Sequence, residues 1–157
     1  MMGVATLAAP RLEHLCDLSV QVGATIEVGT GPTGVRRMIP ITGGTVSGRL
    51  AGRVLPGGAD WQLIVGGTLA RLDARYVIEL ADGARVFVQN TAVRAASVEN
   101  TARLVRGEPV PPEAVYFRCQ PAFETGDARW QWLHERQFVG TGVRRPDAVW
   151  MSFYCVM

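Results

Sequence analysis

Apolar and polar residues alternate through much of this chain with a period of two. From Leu12 to Val28 the even positions carry Leu12, His14, Cys16, Leu18, Val20, Val22, Ala24, Ile26 and Val28, and the odd ones are mostly Glu13, Asp17, Ser19, Gln21, Thr25 and Glu27. Successive side chains of a strand point to opposite faces, so this period predicts half-buried strands, with a break at Gly23. The segment Arg71 to Leu80 repeats it, with Leu72, Ala74, Tyr76, Ile78 and Leu80 on one face. Asp82-Gly83 then turns the chain into a second strand, Arg85 to Asn90. Further strands are expected at Val35–Ile41, Gly48–Val54, Trp61–Val65, Val115–Cys119, Phe138–Gly142 and Ala148–Val156, divided by turns among the 18 Gly and 9 Pro. One helix is expected from an N-cap at Ser97 to a stop at Gly107, with Val98, Ala102 and Val105 as its apolar stripe. So many antiparallel strands expose many edges, which closure into a barrel removes; two packed sheets are the alternative.

Size and composition limit what such a barrel can do. At 157 residues the chain suffices for one domain, which would bury about 70% of its unfolded surface without a structural staple. We expect a single domain over 12–157, preceded by an extension over 1–11. All 16 basic residues are Arg, so no lysine is available for a Schiff base. The net charge of +2, with the arginines dispersed, gives no basic run suited to a phosphate backbone, so no nucleic acid partner is expected. Cys16, Cys119 and Cys155 have neither the even count of a disulfide framework nor zinc spacing, and with only two His no metal site is expected. They read as reduced thiols of a cytoplasmic protein. The opening MMGVATLAAP lacks a basic stretch and its apolar run stops at Pro10, so neither a secretory leader nor a membrane association is expected. Gly29-Thr30-Gly31-Pro32-Thr33-Gly34 lacks the Gly-Lys-Ser/Thr ending of a phosphate loop and reads as a turn.

A more specific pattern is the run Ile39-Pro40-Ile41-Thr42-Gly43-Gly44 followed by Leu55-Pro56-Gly57-Gly58-Ala59-Asp60-Trp61. With Leu72-Asp73-Ala74-Arg75-Tyr76, Tyr116-Phe117-Arg118, Phe123-Glu124-Thr125 and Trp132-Leu133, it resembles the DUF3237 family, also called UPF0311, from about Leu12 to the C-terminus. The resemblance implies a single-domain, lipocalin-like antiparallel β-barrel and implies little about chemistry. Two positions depart from the family pattern: His134 stands where Asn usually follows Trp-Leu, and Cys119 follows Arg118 where Thr is usual.

From the residues themselves, the candidate catalytic groups are Asp60, Glu124 and His134. Asp60 is read equally as a turn cap and as a proton-transfer group, and Glu124 as a buried ion-pair partner or a carboxyl raised by an apolar cavity. His134 would matter if it faces the cavity. The candidate ligand-binding residues are Arg37, Trp61, Tyr76, Arg118 and Trp132, because a guanidinium suits a carboxylate or enolate oxygen and a ring can form a pocket wall. Arg75 shares its face with Arg71, Asp73 and Glu79 and reads as a solvated strand surface; His14 reads as a core histidine beside Cys16. The leading expectation is a cofactor-free acid/base enzyme of isomerase, lyase or cyclase type acting on a small apolar carbonyl or carboxylate compound. A small-ligand carrier and a homo-oligomeric interaction protein are the alternatives. Convergence of Asp60, Glu124, Arg37 and His134 on one cavity would favour the enzyme.

Overall fold

A computed structural model describes residues 3–157. Ten strands, one α-helix and two 3-10 segments make up the described chain. The strands are β1 (Leu12–Val22), β2 (Ile26–Gly31), β3 (Gly34–Gly48), β4 (Gly52–Val54), β5 (Gly58–Val65), β6 (Leu69–Leu80), β7 (Arg85–Ala95), β8 (Tyr116–Glu124), β9 (Gln137–Arg144) and β10 (Ala148–Val156). Helix α1 spans Val98–Val105, and the 3-10 segments are Pro112–Ala114 and Ala128–Glu135. All strand pairs are antiparallel, and the ring runs β1, β10, β9, β8, β7, β6, β5, β3 and back to β1. The molecule is therefore a closed eight-stranded barrel, with β2 added to β3 outside the ring and β4 bridging β3 and β6.

Closure depends on the 15-residue β3, whose first part pairs with β5 and whose second part pairs with β1 and β4. It continues well beyond the Val35–Ile41 expected from its apolar residues. Gly44 explains how: β1 crosses so near that a Cβ there would meet the Ser19 carbonyl oxygen. The β6–β7 hairpin turns at Asp82-Gly83 as expected, with Gly83 at φ 91° and the Asp82 carboxylate accepting from Ala84 N at 2.9 Å.

The interior is packed by Leu15, Cys16, Ile78, Val86, Val88 and Phe153, all essentially without solvent exposure. In β1 a bulge between His14 and Cys16 shifts the register, so Leu15 and Cys16 are both buried. His14 is thereby turned outward, where Nε2 lies 2.8 Å from Asp17 Oδ1, and is not a core histidine. The outer face of β6 is the solvated, ion-paired surface expected, with Arg75 on Asp73 at 3.0 Å and Arg53 and Arg85 both on Glu79.

The two barrel ends are covered differently. The 128–135 segment packs Leu133 into one end and ties to the β6–β7 turn through Trp130 Nε1 to Asp82 Oδ2 at 3.0 Å. Helix α1 covers the other end. Ser97 Oγ caps it by accepting from Asn100 N at 3.0 Å, and Arg37 Nη2 donates to its last residue, Val105 O, at 3.2 Å. The residues α1 buries are Thr101 and Leu104; of the expected Val98-Ala102-Val105 stripe, Val105 packs partly against the core and Val98 stays exposed. Among the described residues no helix is long and apolar enough to cross a membrane.

Candidate functional site

Strand register stacks the inward side chains into rows. One row runs Ile39, Asp60, Ala74, Asn90 across β3, β5, β6 and β7; the next runs Arg37, Gln62, Leu72, Ala92. Arg94 stands beside Ala70 and Phe117 one row nearer α1. Alanines at 74 and 92 fill less of the barrel than the Leu, Ile and Val of the opposite half. What remains is a cavity of about 40 Å³ lined by Asp60, Gln62, Tyr76, Asn90, Arg94 and Arg144, with apolar walls from Val20, Ile39, Leu72 and Phe117. An outer recess of about 210 Å³ under α1 shares Ile39, Gln62, Arg94 and Arg144 with it and adds Arg37. The inner cavity has room for a few water molecules, so a bound ligand would place a small group there and the rest of itself in the recess.

Three polar atoms on the inner cavity are buried without a partner among the described residues: Asp60 Oδ1, Tyr76 OH and Asn90 Oδ1. Interiors normally satisfy such atoms, because an unmade bond costs about 1–3 kcal/mol. Asp60 is fixed by its other oxygen, which accepts from Gln62 Nε2 at 2.9 Å. Burial pushes the Asp60 carboxyl above the usual range, and the Gln62 bond and the charges of Arg94 and Arg144 only partly oppose that. Burial likewise raises the Tyr76 phenol, keeping it a neutral donor. The Asn90 amide nitrogen lies 3.5 Å from Met151 Sδ.

Three guanidinium groups surround the same space. Arg37 is buried and engaged, donating to Glu27 Oε1 at 2.9 Å, Gln62 Oε1 at 3.4 Å and Val105 O. Arg94 is only 4% exposed and makes no side-chain hydrogen bond or ion pair with any described residue. Burial brings it down to about 10, although Asp60 opposes the shift. Arg144 is lowered by burial as well and has one long bond, to Ala148 O at 3.4 Å.

Of the residues singled out in the sequence, the structure brings Asp60, Tyr76 and Arg37 to this end of the barrel. Glu124 is the exposed last residue of β8, and Arg118 lies on the outer face, donating to Phe117 O and stacking on Tyr116 at 5.3 Å. Trp61 is 43% exposed on the outside of β5, next to the inward Asp60. His134 and Trp132 belong to the 3-10 segment at the opposite end: His134 is exposed and accepts from Thr125 N at 3.1 Å, and Trp132 lies under Arg49 at 4.5 Å. Strand parity accounts for the exterior positions of Glu124 and Arg118, since both alternate with the buried Phe117, Cys119 and Phe123. Gln62, Asn90, Arg94 and Arg144 complete the site and carry no motif in the sequence. Their signal was parity too: Asn90 and Arg94 continue the inward series of Val86 and Val88 in β7. Among the described residues no three His, Cys, Asp or Glu side chains gather as a metal would need.

The profile of the family described as protein of unknown function DUF3237 matches residues 10–156. The chain belongs to the DUF3237 family. It is 43% identical over 145 residues to a UPF0311 protein of Bradyrhizobium diazoefficiens, covering 92% of this chain and 95% of that one. A UPF0311 protein of Clostridium acetobutylicum is 35% identical over 155 residues, 98% of each. Among solved structures, a conserved protein of unknown function from Rhodopseudomonas palustris superposes with a TM-score of 0.90 at 39% identity, covering 96% of this chain and all of that one. A β-barrel-like protein from Acinetobacter baumannii gives 0.84 at 38%, covering 97% and 99%. An enzyme from Penicillium herquei shares the fold, with a TM-score of 0.73 at 18% identity over 98% of this chain and 99% of its own.

Proposed function

We propose that this DUF3237 protein is a cofactor-free acid/base enzyme that isomerises, cyclises or eliminates from a small carbonyl compound held in the barrel. The supporting observation is the trio of buried, unpartnered polar atoms on one cavity, Asp60 Oδ1, Tyr76 OH and Asn90 Oδ1. Asp60 Oδ1 removes a proton from carbon next to the carbonyl: the C–H bond breaks, an O–H bond forms on Asp60, and the electron pair moves onto the carbonyl oxygen. Tyr76 OH donates a hydrogen bond to that oxygen as its charge grows. Asp60 then returns the proton to another carbon of the same molecule, giving an isomerisation. Where the enolate carbon first bonds to a second carbonyl carbon of that molecule, Asp60 gives the proton to the oxygen that carbon carries, giving a ring closure. Where a leaving group sits on the next carbon, the electron pair returns from the oxygen to form a C=C bond conjugated with the carbonyl, the bond to the leaving group breaks, and Asp60 passes its proton to that group, so the outcome is an elimination. A carboxyl raised by burial is a stronger base than an exposed one, and the Gln62 bond at 2.9 Å aims its free oxygen.

Proton NMR in D2O tests this with a panel of cyclic β-diketones, enones and 2-oxo acids. The protein should accelerate loss of the α-proton signal for at least one compound, and Asp60→Asn should slow that exchange about 100-fold, the scale for losing a general base. Compounds that bind wild type and exchange no faster than in buffer would make the protein a carrier.

A further inference from the structure

The arginines at the mouth carry the reading further. Arg37 donates one bond from each of its three nitrogens, to Glu27, Gln62 and Val105 O. Arg94 is as deeply buried and has none among the described residues. Arg144 lines the same two spaces with a single long bond to a carbonyl. A cation held this deep without a partner among the described residues is costly even where its nitrogens are not fully sealed from solvent, and a solvent-facing ion pair nearby does not relieve it. The carboxylates near this pair do not neutralise it. Asp60 is bound through one oxygen to Gln62 and forms no ion pair with either arginine, and Asp147 acts on Arg144 only at longer range.

We propose that Arg94 and Arg144 anchor the carboxylate of the substrate, which makes that substrate a small monocarboxylic acid with an apolar body. This names the substrate class of the proton-transfer site above and rests on that reading, although the anchor itself is tested by binding alone. The planar guanidinium fork matches a carboxylate. The remaining walls, from Val22, Ile39, Ile41, Leu72, Phe117 and Val149, are apolar. They suit an organic acid, whereas inorganic phosphate would leave them without a contact. With the carboxylate held where the two spaces meet, at Arg94 and Arg144, a small part of the body reaches the row of Asp60 and Asn90 and the rest lies in the recess.

Calorimetric titration of the full chain with propionate and benzoate, each beside its neutral amide, and with inorganic phosphate, tests the anchor. At least one carboxylate should bind ten-fold or more tightly than its amide, with phosphate weaker than either acid. Arg94→Met should weaken the carboxylate about 10- to 100-fold, the range for a charged hydrogen bond, and leave the amide unchanged. Arg144→Gln, a change at a less buried group, should reduce the same preference should the Met variant fold poorly. Arg75→Ala, which alters only a surface pair, should do nothing. The anchor is overturned by carboxylates that bind no better than amides, or by a preference that survives both variants. A carboxylate preference without Asp60-dependent exchange would retain the anchor and remove the enzyme; exchange on neutral carbonyls without that preference would do the reverse.

Discussion

At the scale of single residues, Asp60 couples stability to the chemistry proposed for it. Its folded carboxyl titrates above the ordinary value of about 3.9 because burial penalises the anion. Between the unfolded and folded values the native state therefore holds the extra proton, and stability falls as pH rises through that window. Below the unfolded value the contribution is complete; above the folded value it is gone. Glu79, Asp82 and Asp127, at the surface, are lowered by their hydrogen-bond partners and act in the opposite sense, but they are common to wild type and variant. Urea unfolding at pH 4 and pH 8 should show Asp60→Asn gaining on wild type at the higher pH, because the amide has no charge to bury. An equal deficit at both values would mean that the ionised carboxylate is accommodated. The same logic explains why Asp60 could be singled out in the sequence without its role being settled: a carboxyl after Gly-Gly caps turns as readily as it enters a cavity. Only the pairing of Ile39 with Asp60 and of Asp60 with Ala74 puts it on the inward row.

At the scale of elements, the site is framed by a short helix and a tight strand crossing. Eight residues make a marginal helix in isolation, so α1 depends on its cap and on the Arg37 tether to Val105. Ser97→Ala should cost about 1 kcal/mol of local stability, read as faster hydrogen exchange at the α1 amides with the barrel strands unchanged. On the far side of the cavity, Gly58 packs against β6 so closely that a Cβ would stand 2.6 Å from Tyr76 Cβ. Gly58→Ala should destabilise by about 1–3 kcal/mol and displace the Tyr76 ring, visible as a shift of its NMR resonances and a loss of ligand binding. The strands themselves are largely legible, because alternation survives in β6, β8 and β10 nearly without interruption. Less legible were features that interrupt alternation or extend past it. The bulge at His14–Cys16 reverses the face of one histidine. Strand β7 continues five residues beyond the expected stop at Asn90, to Ala95, which hid Arg94, a buried arginine without a partner among the described residues. Glu124 and His134 were drawn in by chemistry that their residue types permit and their facing does not.

At the scale of the whole molecule, closure makes each strand's stability depend on both neighbours, and the three cysteines report on different parts of the ring. All three are free and buried, and burial pushes the thiols of Cys16 up to about 12 and Cys119 up to about 11. A thiol reagent should thus find almost nothing in the native protein and three groups in denaturant. The rates should separate them. Cys16 of β1 is paired on both sides, opposite Phe153 and Gly48, and Cys155 of β10 is held between Glu13 and Phe138. Cys119 of β8 is held by a long pairing with β7 but stands at the seam with β9, where the register consists of Arg118 with Thr141 and Cys119 with Gly140 alone. Parting that seam breaks few ladder bonds, so it should open more often than the molecule unfolds. Labelling followed by peptide mass mapping in mild urea should show Cys119 modified first and Cys16 and Cys155 together afterwards, at the rate of global unfolding. A single common rate for all three would mean that the barrel opens only as a unit, and that the β8–β9 seam is held by the Phe117 and Phe138 side chains as firmly as the other strands are by their hydrogen bonds.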